Sequence, residues 1–155
     1  MTAPCLIHGT AVAVATELGL RAVLLRGPSG SGKSDLGLRL IDAGGQLVAD
    51  DQSELVRLGD KIVVRPPATI AGLIEVRGIG ILRLNPLMEA PLALIADLVP
   101  TEAIERLPPL RAECVLGLDL PVIALTPFEA SAPAKLRLAL RVFSEPGFPA
   151  MLTAE

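Results

Sequence analysis

Gly27-Pro28-Ser29-Gly30-Ser31-Gly32-Lys33-Ser34 decides how this chain is read, because it satisfies the pattern G-x-x-x-x-G-K-[ST] in full. Its flanks agree with it. The apolar run Arg21-Ala22-Val23-Leu24-Leu25-Arg26 before it reads as a buried strand. After it, Leu36, Leu40 and Ala43 recur on one face, which predicts a helix over 32–43 that Gly44-Gly45 can end. Strand, glycine loop and helix in that order make an anion cradle: backbone N–H groups turn inward on a phosphate, and the helix N-terminus adds partial positive charge. In such a loop Gly27, Pro28, Ser29, Gly30, Ser31 and Gly32 form the wrapping backbone. Lys33 is a mobile cation for the β- and γ-phosphates, and Ser34 offers a hydroxyl to magnesium, which leaves open an ATPase, a switch GTPase, a nucleotide kinase or a protein kinase of non-eukaryotic type.

Beyond the loop, Gln46-Leu47-Val48-Ala49 predicts a second short strand that ends in the paired carboxylates Asp50 and Asp51, 17 and 18 residues after Lys33. Ligands of open α/β sheets lie outside the carboxyl ends of strands. This pair is therefore expected to face the γ-phosphate, one carboxylate holding magnesium and the other accepting a proton from an attacking hydroxyl. A rival exists in Asp97, which closes Leu94-Ile95-Ala96 at 64 residues after Lys33, a more usual separation for a magnesium-binding strand end.

The remaining segments fill in an α/β architecture. Glu54–Leu58 and Lys61–Arg65 flank Gly59-Asp60, a two-residue connection suited to a type II′ hairpin, and Pro66-Pro67 breaks the pattern. Leu73–Leu82 is strand-like but punctuated by glycines and charges. Leu92–Leu98 and Pro121–Thr126 are apolar enough for central strands, although the first has the Ala and Leu content of a helix. Ala134–Phe143 predicts an amphipathic helix, and the tail after Pro146 is expected to fray. The order implies a central mixed sheet with flanking helices, in a single domain over residues 1–155.

Composition narrows the function. Apolar residues make up 51% and charged ones 20%, so a sizeable core is expected and disorder is not. Three Phe with no Trp or Tyr, together with a net charge of −3, argue against nucleic acid as a partner, since neither stacking platforms nor a basic footprint is present. Cys5 and Cys114 have no paired spacing, and His8 is the single histidine, which excludes zinc sites and triads needing two imidazoles. There is no signal-peptide pattern, and no uncharged apolar run nears the ~18 residues of a membrane span, so a soluble cytoplasmic protein is expected. No N-K-x-D guanine reader occurs, and no arginine-rich lid of the nucleotide-kinase kind is evident.

Three motifs in order, Gly27–Ser34, Ala49-Asp50-Asp51 and Ile74-Glu75-Val76-Arg77-Gly78-Ile79-Gly80-Ile81, make the chain resemble the catalytic domain of the bacterial HPr kinase/phosphorylase family. The resemblance runs from His8-Gly9 to about Thr126. It implies a P-loop kinase-like domain that phosphorylates a serine of HPr, the phosphocarrier of the sugar phosphotransferase system, or of its nitrogen-related paralogue. ATP and Mg2+ are implied as cofactors and a hexamer as the assembly. The separate N-terminal domain of longer members has no counterpart here, so a short, catalytic-domain form is expected.

Matched residue by residue, the resemblance makes Lys33 the phosphate-binding lysine, Ser34 a magnesium ligand and Asp51 the proton acceptor, with Asp50 beside it. Glu75 matches a second magnesium ligand and His8 an active-site histidine. Arg106, in Glu105-Arg106-Leu107, resembles the arginine of an Asp-Arg-Leu-Gly motif, with Pro108 in place of the glycine. Many members also remove the phosphate by phosphorolysis, using a basic loop. The corresponding Pro127–Ala132 has no Lys or Arg and carries Glu129, which predicts weak or absent phosphorolysis, because an incoming phosphate meets fewer cations. Two alternatives stand beside this reading: a small-molecule kinase using Asp97, and a nucleotide-binding regulatory module without turnover.

Overall fold

The computed structural model describes residues 3–143. Among them lie strands β1 (Cys5–His8), β2 (Thr10–Thr16), β3 (Gly19–Arg26), β4 (Gln46–Ala49), β5 (Gln52–Leu58), β6 (Lys61–Arg65), β7 (Leu73–Val76), β8 (Gly80–Arg83), β9 (Ala90–Leu98), β10 (Ala112–Val115) and β11 (Leu118–Leu125), and helices α1 (Lys33–Asp42) and α2 (Ala132–Phe143). Nine of these strands form one mixed sheet in the order β1-β5-β6-β9-β3-β2-β4, with the β10–β11 hairpin joined to it along β9. The β7–β8 hairpin stands apart from it.

Strand direction places the site. β9 is parallel to β3 and β11 is parallel to β9, while β3 and β4 are both antiparallel to β2. The carboxyl ends of β4, β3, β9 and β11 therefore share one edge of the sheet, the edge at which α/β folds bind ligands.

The sheet curls because two long ribbons bend together. β1 passes into β2 at Gly9, and β4 passes into β5 at Asp50-Asp51, with the Gly9 N–H donating to the Asp51 carbonyl at 2.8 Å across the bend. A Cβ on Gly9 would sit 2.8 Å from the Leu25 carbonyl oxygen, so only glycine lets the bend rest against β3.

Each face of the sheet has its own core. Leu24, Leu55, Ile62 and Ile95 fill the inside of the curl. On the other face Val23, Leu25 and Leu94 are covered by Leu36 and Leu40 of α1 and by Leu136 and Leu140 of α2, all four fully buried. Truncating any of these four leucines to alanine costs about 2–5 kcal/mol, the transfer loss plus the cavity left behind. A smaller cluster of Leu47, Ile74 and Val76, with Leu38 against it, seats the β7–β8 hairpin beside α1.

The helix after the loop and the β5–β6 hairpin are found where the sequence puts them, and the strands expected at 92–98 and 121–126 are present but begin earlier, at Ala90 and Leu118. Gly59 has φ 66°, as the first central position of a type II′ turn requires. The 92–98 run is a strand rather than a helix, and its burial on both faces between parallel neighbours explains its continuous apolar character. α2 begins at Ala132, two residues before the expected start, and the expectation for the tail beyond Pro146 lies outside the described residues. The sequence reading did not anticipate β1, β2 or β10. In β2, Thr10-Ala11-Val12-Ala13-Val14 is buried at every position, which removes the alternation that marks a half-exposed strand. Among the described residues no helix is long and apolar enough to cross a membrane.

Candidate active site

The phosphate loop leaves β3 at Gly27 and enters α1 at Lys33, with Gly32 at φ 98°, a left-handed conformation that side chains rarely adopt. Lys33 is buried, and its Nζ donates to the carbonyl oxygens of Gly27 at 2.8 Å and Pro28 at 3.1 Å, so the loop folds around its own cation. At the next residue, Ser34 Oγ donates to Asp50 Oδ1 at 2.7 Å.

Asp50 and Asp51 are adjacent in sequence and opposite in character. The Asp50 side chain is buried and receives three donors: Ser34 Oγ, Thr10 Oγ1 at 2.9 Å, and the Glu75 backbone N–H at 3.2 Å. It joins α1, β2 and β7 at one carboxylate. The Asp51 side chain is 67% exposed, and its Oδ1 lies 2.8 Å from His8 Nε2. Asp51 has φ 68° and is the centre of a tight turn in which the Gln52 N–H donates to the Asp50 carbonyl at 2.8 Å. A positive φ at a non-glycine residue stores strain, and Asp tolerates it better than most. The ladder bond from Gly9 to Asp51 holds the turn, and that same bend sets His8 at the end of β1 beside the carboxylate.

Lys33, Ser34, Asp51, Glu75, Arg77 and Phe128 line a cleft of about 450 Å³ above the loop. Four separate segments thus meet there: the phosphate loop, the β4–β5 bend, the β7–β8 hairpin and the turn after β11. The oxygen donors on the cleft wall, Ser34 Oγ and the carboxylates of Asp51 and Glu75, suit a hard cation. Magnesium is usually held by one or two carboxylates plus substrate phosphates, so these residues fit an ion arriving with a nucleotide. No group of three or more His, Cys, Asp or Glu that could cage a metal occurs among the described residues.

The sequence reading missed Thr10, Arg77 and Phe128. Arg77 had a signal in standing two residues after Glu75 within the same motif, and it falls in the turn that follows β7. Thr10 had none, because its role depends on a contact 40 residues away in sequence.

Two other residues named from sequence stand elsewhere. Asp97 is bound by Arg26, whose Nε and Nη2 donate to its two oxygens at 2.7 and 3.0 Å, while Nη1 and Nη2 donate to Glu113 at 2.7 and 2.9 Å. Glu113 first, then Asp97, push the guanidinium pKa further above its ordinary value. Along their strands Arg26 alternates onto the side of Leu24, and Asp97 onto that of Ile95, which is the face opposite α1. Asp97 is therefore not part of the cleft. Arg106 is exposed in the irregular segment 104–111 and is likewise absent from the cleft walls.

A phosphate loop at the carboxyl end of β3, with two helices on one face of a mixed sheet, defines a P-loop-type kinase domain. A family model described as the HPr Serine kinase C-terminal domain matches residues 1–89. Over 130 residues the chain is 41% identical to the HPr kinase/phosphorylases of Burkholderia lata and Burkholderia cenocepacia, the match covering 77% of this chain and 39% of each relative. It thus spans about two fifths of the length of these curated relatives. The structure of the Hpr(Ser) kinase/phosphatase from Coxiella burnetii aligns with a TM-score of 0.75 at 27% identity, over 88% of this chain and 94% of that one. The chain belongs to the HPr serine kinase C-terminal domain family.

Proposed function

We propose that this chain is an ATP- and magnesium-dependent protein serine kinase acting on HPr or its nitrogen-related paralogue, in the cytoplasm. The observation that carries the reading is the division of labour between the two aspartates, one buried on the loop serine and the other open at the cleft with His8 on it. An exposed base suits an acceptor presented on the surface of another protein, whereas a small-molecule acceptor is normally enclosed by its site.

The acceptor serine oxygen attacks the γ-phosphorus as the bond to the bridging oxygen of ADP breaks, and Asp51 takes the hydroxyl proton. Lys33 turns from the carbonyls of Gly27 and Pro28 to the γ-phosphate, and the loop amides stabilise charge on the moving group. Ser34 and Glu75 would hold magnesium, which when bound neutralises charge on the β- and γ-oxygens. Asp50 fixes the Ser34 hydroxyl, and His8 orients the Asp51 carboxylate. Arg106 takes no part in this scheme.

The reverse reaction is proposed to be weak. The turn after β11 carries no cation of its own, and Lys135 Nζ lies 2.6 Å from Glu129 Oε2, so the nearest following lysine neutralises Glu129 rather than an incoming phosphate. Pyrophosphate release from serine-phosphorylated carrier with millimolar phosphate should fall far below the forward rate, and parity would overturn this. Self-association, as a hexamer by family precedent, is supported by Ile79 and Ile81, which are 72% and 71% exposed on the β7–β8 hairpin.

The deciding experiment incubates the chain with radiolabelled ATP, purified HPr and a panel of small acceptors, with Lys33→Ala as control. Label on a carrier serine that Lys33→Ala abolishes is the expected result. Label on a small acceptor would replace the reading by a small-molecule kinase, and nucleotide binding without transfer would replace it by a regulatory module.

A further inference from the structure

One end of the cleft is not used by phosphoryl transfer. The phosphate loop follows β3, and on the shared sheet edge it lies between the Asp50-Asp51 bend after β4, with β2 intervening, and the turn Pro127–Glu129 after β11, with β9 intervening. The cleft that holds Asp51 at one wall has Gly32 and that turn at another, which leaves room there for the sugar and base of a nucleotide whose terminal phosphate faces Asp51.

Among the described residues Phe128 is the one aromatic side chain in the cleft wall, and it is 71% exposed. Its ring edge lies against Gly32: atoms Cε1 and Cζ are each 3.1 Å from the position a Cβ there would occupy. The backbone on both sides of the ring is held. Arg39 of α1 donates to the Pro127 carbonyl and, at 3.3 Å, to the Glu129 carbonyl, and Lys135 pairs with the Glu129 side chain. The turn is thus anchored at its two ends while the ring between them faces the cleft and solvent. An apolar ring kept open at the edge of a phosphate site gains from a flat partner that covers it.

We propose that Phe128 is the platform on which the base of the bound nucleotide stacks, an inference that rests on the reading of the cleft as a nucleotide site. Every base has a π-face, so a stacking platform tolerates different bases. Among the described residues the turn offers no unpaired polar side chain to a base edge: Pro127 and Phe128 have none, and the Glu129 carboxylate is taken by Lys135. ATP and GTP should therefore bind within a few fold of each other.

The chain contains no Trp or Tyr, so Phe128→Trp places a single tryptophan at the site. Saturable quenching of its emission by ATP and by GTP, but not by inorganic tripolyphosphate at saturating concentration, is expected. By calorimetry, Phe128→Ala should weaken ATP binding by about 5- to 20-fold, the lower part of the range for a base on an aromatic ring. Tripolyphosphate affinity should stay within about twofold, since the loop amides and Lys33 are untouched. Equal losses for ATP and tripolyphosphate would show that the ring only props the loop, and no loss for either would show that the base lies elsewhere. Both results overturn the platform while leaving the nucleotide site standing. A wild-type chain that binds neither ligand would overturn the nucleotide reading, and the platform with it.

Discussion

Two neighbourhoods on the same edge of the sheet end in aspartate, and they have opposite fates. At the end of β9, Asp97 is clamped by the Arg26 guanidinium, which also holds Glu113, on the face away from α1. At the end of β4, Asp50 reaches the first turn of α1 and takes the Ser34 hydroxyl, and Asp51 opens into the cleft. By distance in sequence from Lys33, Asp97 is the more usual magnesium carboxylate. The difference teaches that a strand-end carboxylate is assigned by the face it alternates onto and by the partner that meets it there, because a bidentate arginine occupies the oxygens a cation would need.

The largest test of that contrast is Asp51→Asn. Asparagine keeps the size and tolerates the positive φ but removes the base, so carrier phosphorylation should fall about 10²–10⁴-fold with the thermal midpoint nearly unchanged. A midpoint that fell with the rate would mean that the turn, and not the proton acceptor, had been lost. His8→Ala removes the hydrogen bond that orients Asp51 and should cost about tenfold in kcat, the equivalent of one hydrogen bond of about 1.4 kcal/mol. KM for the carrier should hold steady, and a change in KM alone would move His8 from orienting the base to docking the partner. Glu75→Gln should raise the magnesium concentration needed for half-maximal activity several-fold, since a neutral amide is a poorer ligand for a hard cation. An unchanged magnesium titration would limit Glu75 to its backbone bond with Asp50. The smallest effect on rate is expected for Asp97→Asn, within about twofold, together with a loss of about 1 kcal/mol in denaturant unfolding because Arg26 keeps Glu113 and the pair is partly solvated. If Asp97→Asn lowered the rate more than Asp51→Asn, the assignment of the two ends would be reversed.

The loop and its flanks were legible because their information is local. Lys33 bonds to loop carbonyls only five and six residues before it, and Leu36 and Leu40 mark the buried face of α1 by spacing alone. Asp51 and His8 were legible through motif resemblance, but their contact spans 43 residues and exists only because two ribbons bend together. The stretch containing Arg106 reads like part of a motif and sits in an exposed segment outside the cleft, so local similarity alone did not place it.

By itself, the sequence determined that there is a strand–glycine loop–helix unit, that it belongs to an α/β sheet, and which strand carries the paired carboxylates. These follow from periodicity, glycine placement and charge along a continuous piece of chain. Only the tertiary structure decided which carboxylate meets Ser34, that Asp97 belongs to Arg26, that Thr10 supports Asp50, and that Phe128 lies over Gly32. Each of those is a contact between segments far apart in sequence, and strand direction, alternation and the bend at Gly9 bring them together. No local pattern records which side chains such a sheet will place face to face.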